Sequence, residues 1–307
     1  MKIYYSHGKL LLTGEYLVLD EAQALAVPTK RGQHLEVTEV KSSKIQWTSK
    51  TEKDQIWFSA EFSLHNLEPL EVSETPEQKK IAQTLSKILQ TARQLNPNFL
   101  KKSEGVVVTT LLEFPSNWGL GSSSTLINNI AQWAEVNPFK LLELSFGGSG
   151  YDIAVASSKQ PVLYQRTASQ PKVKSISFHP NFSDHIYFVH LNQKKDSKEA
   201  IQHYRSLPKT ELTSSISKIN QFTKDLLEAK NIESFEKILN NHELLLSTIL
   251  KTSTIKSEFF KEYPHTVKSL GGWGGDFVMV TTRTDNDLDY FKRKGYQTII
   301  PYVEMVL

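Results

Sequence analysis

The sequence contains no cysteine in its 307 residues, which excludes disulfide bonds and thiolate metal sites. Such a composition is typical of a reducing compartment, so we expect a cytoplasmic location. Long apolar runs are missing too. The apolar run near the N-terminus is too short for the hydrophobic region of a signal peptide, and Gly14 and Glu15 interrupt it. No segment approaches the length of a membrane span, so we expect no membrane partner.

The sequence also has no large excess of one charge sign. Its 36 lysines and arginines nearly balance its 33 acidic residues, and the basic residues are dispersed along the chain. This pattern argues against nucleic acid as a partner. A hydrophobic content of 39% with only 14 glycines is typical of a globular protein. The length suits one large domain or two of ordinary size, with a core that needs no disulfide or metal.

Strand and helix patterns are mixed along the chain without a regular alternation, which predicts an α+β fold rather than a doubly wound sheet. Alternating apolar residues in "GQHLEVTEV" and "KIQWTSK" are typical of half-buried antiparallel strands. Helical spacing predicts helices over 76–95, 214–230 and 232–251, and "QTIIPYVEMVL" predicts a closing strand. The pattern changes after residue 182, so we expect domains at 1–182 and 183–307.

A flexible, hydroxyl-rich turn precedes a helical pattern in "NWGLGSSSTLINNIAQW". Gly119 and Gly121 allow backbone conformations closed to other residues and let a ligand approach closely. Ser122, Ser123 and Ser124 then stand at the start of a helix, where unpaired N–H groups and the helix dipole favour a phosphate. The alternative is a plain serine cap after a glycine turn. The segment is neither a Walker A loop nor a nucleophile elbow, because the residues that those motifs require are not there.

Three other features each have two interpretations. In "FGGSGYDIAVA", Asp152 suits a base or a cation ligand, or it caps a helix that runs from Ile153. In "KSLGGWGGDFVMV", the glycines bring main chain close to a ligand, or they form a tight hairpin. Lys9 lies between a glycine and three leucines, where it suits a phosphate or carboxylate partner, or ends a strand with its head in water.

Taken in order, four segments resemble the GHMP kinase superfamily, which is named after galactokinase, homoserine kinase, mevalonate kinase and phosphomevalonate kinase. The segments are "HGKLLLTGEYLVLDEAQALAVP", "PSNWGLGSSS", "GGSGYD" and "KSLGGWGGD", and they span most of the chain. The phosphomevalonate kinase branch is the most similar. Both "GSGYD" and a glycine turn that ends in Gly274, Gly275 and Asp276 are typical of that branch. The mevalonate kinase branch usually has a Pro-Ser-Gly-x-Asp form instead.

The resemblance implies a two-domain α+β fold, with an N-terminal domain like ribosomal protein S5 domain 2 and a ferredoxin-like C-terminal domain. It also implies an ATP-dependent kinase of isoprenoid precursor synthesis that uses ATP and Mg²⁺. The acceptor would be of the mevalonate type, phosphomevalonate or mevalonate, and therefore an anion or an alcohol. A homodimer is compatible with the sequence, which does not fix the oligomeric state.

The same resemblance implies roles for individual residues. Asp152 would be the catalytic aspartate, and Lys9 would neutralise charge near the transferred phosphoryl group. The residues implied to bind ATP are Asn117, Gly119, Leu120, Gly121, Ser122, Ser123, Ser124, Gly271, Gly272, Gly274 and Gly275. Those implied to contact the acceptor are Glu15, Tyr16, Ser149 and Gly150, and those implied to bind Mg²⁺ are Ser123 and Glu143. Cationic candidates for an anionic acceptor are Lys30, Arg31, Lys194, Lys195 and Lys198, each of which is otherwise an ordinary solvated charge.

The sequence departs from the family pattern at several positions. Trp273 replaces one of the usual glycines, Leu270 stands where a hydroxyl residue is common, and Glu143 lies nine residues before Asp152, an offset that does not match. These departures keep a second hypothesis open, a non-catalytic ligand sensor on the same fold. A third hypothesis is an enzyme like diphosphomevalonate decarboxylase, against which Lys9 and the "GSGYD" form argue.

Overall fold

We describe the protein from a computed structural model that covers residues 1–72, 75–101, 104–193, 197–208 and 211–307, without the side chains of residues 197 and 198. Within these ranges, no helix combines the length and the apolar character that crossing a membrane requires. Helices and strands are both abundant and are mixed along the chain. The α+β class predicted from the sequence is therefore confirmed.

Within the described ranges, the β structure consists of twelve strands. They are β1 (Lys2–Thr13), β2 (Ala24–Glu39), β3 (Lys44–Lys50), β4 (Ile56–Ser63), β5 (Pro69–Val72), β6 (Val106–Leu112), β7 (Val162–Gln165), β8 (Lys172–Ser175), β9 (Ile186–His190), β10 (Val267–Leu270), β11 (Phe277–Thr281) and β12 (Ile299–Pro301).

The same part of the chain contains ten α-helices. They are α1 (Pro76–Leu95), α2 (Ser122–Ala134), α3 (Pro138–Ser145), α4 (Tyr151–Ala156), α5 (Ser197–Ser206), α6 (Leu212–Glu228), α7 (Ile232–Leu250), α8 (Ile255–Phe259), α9 (Asp289–Arg293) and α10 (Tyr302–Met305). Short 3₁₀ turns cover Leu17–Asp20, Ser183–His185 and Asp285–Leu288.

The chain divides into two compact units that alternate along the sequence. The first unit contains residues 1–8, 31–116 and 121–157, and the second contains residues 9–30, 117–120 and 158–307. The domain boundary predicted at 182/183 divides the chain at a single point, whereas these units alternate along it. That boundary remains a prediction.

The first unit is a sheet covered by helices. Its strands follow the order β5-β4-β3-β6-β2, in which β3 runs parallel to β6 while β2 is antiparallel to β6 and β4 is antiparallel to β3. Helices α1, α2 and α3 pack against one another, and α4 packs against α2. The core lies between sheet and helices and includes the buried residues Trp47, Phe62, Leu89, Val108 and Ile130.

The second unit contains an antiparallel sheet in the order β10-β11-β9-β12. The start of β2 also pairs with β7, and β7 pairs with β8, both in antiparallel fashion. Helices α6 and α7 pack together, and α7 and α8 contact β10. Strand β10 leads directly into the glycine-rich segment 271–275, and β11 leaves it, so the segment is the turn of a β-hairpin.

Most of the predicted elements are confirmed. The helix predicted over 76–95 matches α1, and the two long helices match α6 and α7. The closing strand is wrong beyond Pro301. Strand β12 ends there, and a single helical turn, α10, follows. Proline has no N–H to continue a ladder and suits the position just before a helix, which explains this change of structure.

Helix α2 carries a buried polar face that its apolar periodicity does not reveal. The side chain of Asn129 accepts a hydrogen bond from Ser6 Oγ at 2.7 Å and donates one to Gln33 O at 2.9 Å. Thr125 Oγ1 donates to the Gln33 side chain at 2.6 Å. Asn129 and Thr125 are both fully buried. Because buried polar groups are costly unless paired, these bonds fix helix α2 against strands β1 and β2.

Substitution of Asn129 is therefore expected to destabilise the protein strongly. Asn129→Ala leaves the Gln33 carbonyl and the Ser6 hydroxyl without this partner, and we expect a loss of about 2–4 kcal/mol in the free energy of unfolding. Urea denaturation measures the change. Gln132→Ala, on the exposed side of the same helix, is the control and should change stability by about 0.5 kcal/mol or less. Equal losses in the two variants would contradict this account.

Candidate functional site

The N-terminus of helix α2, in the first unit, has no side-chain cap among the described residues. Gly121 stands at the capping position with φ 89°, and no described side chain there accepts a hydrogen bond from the first turn. In contrast, side chains do cap helices α1, α3, α7 and α8; the capping residues are Thr75, Asn137, Asn231 and Thr254. The first turn of α2 therefore presents main-chain N–H groups in the arrangement that binds anions.

The three serines of this turn have different surroundings. Ser124 is buried, and its hydroxyl donates to the Gly121 carbonyl at 2.8 Å, so it closes the turn. Ser122 is half-buried and Ser123 is exposed. The hydroxyl of Ser123 therefore faces solvent at the positive end of a helix, where a phosphate oxygen or a hard cation bound to phosphate could be bound.

In the second unit, the loop 117–120 lies directly against Asp276, the aspartate that follows the glycine turn 271–275. Gly119 has φ 64°, and a Cβ on it would lie 2.2 Å from Oδ2 of Asp276. Only glycine allows this approach. The N–H of Lys9 donates to Leu120 O at 3.0 Å, so strand β1 holds the other side of the loop. Lys9 is itself buried, with 9% of its surface exposed.

Aromatic contacts also hold the loop 117–120. The ring of Trp118 meets Phe277 edge-on, with 5.5 Å between centroids, and lies 6.3 Å from His190. His190 Nδ1 accepts the N–H of Asn192 at 3.3 Å, which leaves the proton on Nε2, and Nε2 donates to Asn117 O at 3.2 Å. His190, which is buried at the end of β9, therefore supports the loop 117–120 in its Nε2-protonated tautomer.

The glycine turn uses several of its N–H groups within the protein. The N–H of Trp273 donates to Tyr16 Oη at 2.7 Å, and that of Gly274 donates to Ser269 Oγ at 3.1 Å. The Trp273 indole donates to Ser253 O at 3.0 Å, which fixes the side chain that replaces a glycine in this turn. In this conformation, any role of the turn toward phosphate depends on close approach of its backbone rather than on these donors.

Beneath the turn lies a buried ionic cluster that the sequence did not predict. The Lys268 ammonium donates to the Glu15 carboxylate and lies 3.6 Å from Glu243 Oε1. His242 Nε2 accepts the N–H of Gly14 at 3.1 Å and lies 3.4 Å from Glu15 Oε2. All four side chains are almost completely buried. The only sequence signal was a lysine within "TVKSL", a segment whose other residues suit a buried strand.

The cluster has one cation for two carboxylates, and the pKa values reflect this. Burial raises the pKa of Glu243, Lys268 opposes this and the Glu15 charge adds to it, with a net pKa of about 7. Burial, followed by the Lys268 charge, holds the pKa of His242 well below its usual value, so the imidazole is neutral. The Glu243 carboxyl therefore keeps its proton well above the usual glutamate range.

Asp152 lies in the first turn of helix α4, which begins after Gly150 in a left-handed conformation with φ 88°. Helix α4 packs against α2 within the first unit, so Asp152 and the serine turn belong to helices in direct contact. Asp152 and Ser149 are half-buried, and Gly150 is buried. The roles expected of these three residues remain predictions.

The two residues predicted to bind Mg²⁺ fit that role unequally. Ser123 stands exposed at the glycine-capped helix end. Glu143, in contrast, is exposed on helix α3, and its carboxylate pairs with Lys140 at 3.1 Å, an ordinary surface contact three residues away. Over the part of the chain that the structure describes, no group of three or more histidines and acidic residues could hold a metal ion. Any Mg²⁺ would therefore depend on phosphate oxygens for much of its coordination.

Solved structures match nearly the whole chain. The mevalonate kinase of Methanococcus jannaschii has 17% identity and a TM-score of 0.69, with 97% of this chain and 96% of that chain covered. The phosphomevalonate kinase of Streptococcus pneumoniae, solved with phosphomevalonate and AMPPNP, has 15% identity and a TM-score of 0.67, with 97% and 99% covered. The galactokinase of Lactococcus lactis, solved with galactose, has 13% identity and a TM-score of 0.68, with 98% and 93% covered.

This chain has the GHMP kinase fold. No protein-family model matches the sequence, and no curated protein matches it significantly. The likeness therefore lies in the three-dimensional structure, at identities where the sequences have diverged widely. The fold expected from the four motifs is confirmed.

Within this GHMP kinase fold, the second unit brings together three groups of predicted residues. Lys9, the loop 117–120 and the turn 271–275 are connected by the contacts described above. The predicted acceptor residues Glu15 and Tyr16 contact the same hairpin. Sequence reasoning missed Lys268, Glu243 and His190, because their importance depends on partners far away in the chain.

The predicted cationic residues are distributed differently. Lys30 and Arg31 lie on strand β2, where Lys30 is exposed and Arg31 is half-buried. Lys194 and Lys195 lie outside the described residues, as does the side chain of Lys198. Their roles toward an anionic acceptor remain predictions.

The contact between Gly119 and Asp276 leads to a testable prediction. Gly119→Ala places a Cβ against the carboxylate and adds about 1 kcal/mol of backbone strain, so we expect a total loss of about 2–4 kcal/mol. In the double variant with Asp276→Ala the carboxylate is gone and only the Cβ of residue 276, 2.9 Å from the new Cβ, stays close, so the two losses should be non-additive by about 1–3 kcal/mol in urea unfolding.

Gly295→Ala is the matched control for this cycle. Gly295 also has a positive φ, 91°, but no atom of the described residues lies within 4 Å of the place that a Cβ there would take. We expect it to lose only the backbone part, about 1 kcal/mol. Simple additivity of Gly119→Ala and Asp276→Ala would show that the close approach is unimportant.

Glu243 predicts a pH-dependent stability difference. Its raised pKa means that the folded protein keeps this proton between the usual glutamate range and about pH 7 while the unfolded chain releases it. Its contribution to stability therefore falls as pH rises through that window. Glu243→Gln should gain stability relative to the wild type by on the order of 1–3 kcal/mol more at pH 8 than at pH 5.

Urea unfolding at both pH values measures this difference. His242 is present in both proteins, so its own titration cancels. The control is Glu233→Gln, which removes an exposed carboxylate from the same helix α7 and should show little dependence on pH. A Glu243→Gln effect that is the same at pH 5 and pH 8 would argue against a retained proton.

Proposed function

We propose that this protein is an ATP-dependent kinase that transfers the γ-phosphoryl group of ATP to a mevalonate-type acceptor, phosphomevalonate or mevalonate. The observation that carries the proposal is the first turn of helix α2, which is rich in serine and has glycine in place of a side-chain cap. The fold supports the reaction type. Two of the structures that share it are a mevalonate kinase and a phosphomevalonate kinase, the latter solved with AMPPNP.

Phosphoryl transfer requires positioning and the neutralisation of charge on the phosphate oxygens, more than covalent help. We assign the cradle for these oxygens to the main-chain N–H groups at the start of α2 and to the Ser122 hydroxyl. Lys9 supplies a positive charge. Because Lys9 is buried, its attraction to a phosphate is stronger than that of a solvated lysine. When bound, Mg²⁺ would neutralise further charge on the phosphates, with Ser123 as its protein ligand.

The role of Asp152 depends on the acceptor. If the acceptor is an alcohol, as in mevalonate, the carboxylate takes the proton of the attacking hydroxyl. If the acceptor is a phosphate monoester, as in phosphomevalonate, the attacking oxygen is already ionised. Asp152 then orients neighbouring groups and removes no proton. The effect of neutralising Asp152 therefore distinguishes the two acceptors.

The test is a coupled assay of ATP consumption with a panel of acceptors that contains mevalonate, phosphomevalonate, homoserine and galactose. We expect stimulation by a mevalonate-type acceptor. Stimulation by galactose alone would move the protein to another acceptor class within the same fold. ATP binding without turnover on any acceptor would favour the ligand sensor, and release of CO₂ from a diphosphorylated acid would favour the decarboxylase.

Asp152→Asn is the decisive variant for the catalytic assignment. With mevalonate as acceptor we expect kcat to fall by about 10²–10⁴-fold, while AMPPNP binding stays within a few-fold of the wild type. With phosphomevalonate the loss should be smaller. Glu143→Gln, on the exposed face of α3, tests the weaker Mg²⁺ assignment in the same assay. Full activity of Asp152→Asn on both acceptors would remove Asp152 from the mechanism.

A further inference from the structure

The glycine turn and the strand that leads into it are connected to one pair of consecutive residues. On strand β10, three residues before the turn, the Lys268 ammonium donates to the carboxylate of Glu15. In the middle of the turn, the N–H of Trp273 donates to Tyr16 Oη at 2.7 Å. We call these two contacts the double bridge. Residues 15 and 16 are thereby bonded to both ends of the six-residue stretch 268–273, in addition to the hydrogen bonds of the hairpin itself.

Both parts of the double bridge are shielded from water. Lys268 is completely buried and Glu15 is 3% exposed, so their bond is charge-assisted in a low dielectric. Tyr16 is buried as well, and its ring packs against Tyr204 with 5.6 Å between centroids. Because the first contact is buried and the second is part-buried, each should hold its partner more tightly than a fully exposed contact would.

The backbone at Tyr16 indicates that this arrangement is imposed by the surrounding contacts. Tyr16 has φ 62° and ψ −51°, an uncommon conformation for a residue with a bulky side chain. Such conformations persist only where neighbouring contacts determine them, and they cluster at sites where geometry serves a purpose. Here the conformation lets two adjacent side chains reach Lys268 and Trp273 at the same time.

We propose that Lys268 and Tyr16 are positioning residues that hold the glycine turn 271–275 in a single conformation through the double bridge. This assigns Glu15 and Tyr16 to the support of the turn, in addition to the acceptor contacts implied by the family resemblance. In so far as the turn serves nucleotide binding, the proposal rests on the proposed function. The positioning itself is a property of the hairpin and can be measured without any ligand.

The test compares two tyrosine variants that each lose one hydroxyl from the same apolar cluster. Tyr16→Phe removes the acceptor of the Trp273 N–H. Tyr204→Phe is the matched control. The Tyr204 hydroxyl donates to Asp20 Oδ2, whereas the Trp273 N–H is bonded to Tyr16. Hydrogen exchange of peptides covering 269–276, measured without ligand, reports on the turn, and titration with AMPPNP reports on nucleotide affinity.

We expect Tyr16→Phe to speed exchange in 269–276 by about tenfold, the equivalent of one lost hydrogen bond, while Tyr204→Phe leaves these peptides unchanged. AMPPNP affinity should fall several-fold in Tyr16→Phe only, even where the two variants have equal free energies of unfolding. Lys268→Met should act on the same peptides. If it fails to fold, the tyrosine pair still decides the outcome.

Unchanged exchange in Tyr16→Phe, or equal changes in both tyrosine variants, would overturn the double bridge. Faster exchange with unchanged AMPPNP affinity would confirm the bridge but overturn its role in nucleotide binding. If the wild type binds no AMPPNP at all, the proposed kinase function fails, and the exchange experiment still decides whether the double bridge holds the turn.

Discussion

A lysine ammonium without access to water has to be neutralised where it lies, and Lys268 sets this requirement at the base of the glycine hairpin. Removing such a charge from water costs several kcal/mol unless close carboxylates and hydrogen bonds compensate it. Glu15 and Glu243 supply that compensation from segments far apart in the sequence. Because the cation needs the Glu15 carboxylate close by, and Glu243 of helix α7 lies 3.6 Å from it, the start of the chain, helix α7 and strand β10 meet in one arrangement.

The local patterns of the sequence were sufficient for much of the fold. Helix α1 could be placed from its apolar spacing, since that signal lies within one segment. The order of the four motifs predicted the GHMP kinase fold, which the solved structures confirm despite identities of 13–17%. A motif survives such divergence where backbone geometry restricts the residue type, as it does at Gly119 and Gly121.

Features that depend on distant partners could not be predicted in this way. The residues around Lys268 in the sequence do not indicate that Glu243 is its neighbour in the fold. Those around Asn129 likewise do not indicate its hydrogen bond with Ser6. The sequence does not reveal the polar face of α2 because asparagine is mostly exposed in proteins, and only the structure shows that these side chains are buried and bonded. The end of the chain shows a different limit. A strand pattern continued past Pro301, but proline cannot extend the ladder there.

The absence of a side chain at Gly119 has a consequence for how this protein could have changed during evolution. The carboxylate of Asp276 occupies the space that any Cβ at position 119 would need. Divergent sequences that keep this packing should therefore retain glycine at position 119. The alternative is that both positions change together, with a shorter residue in place of Asp276. Positions 119 and 276, which are separated by more than half of the chain, would then vary together because there is no room for a Cβ at position 119.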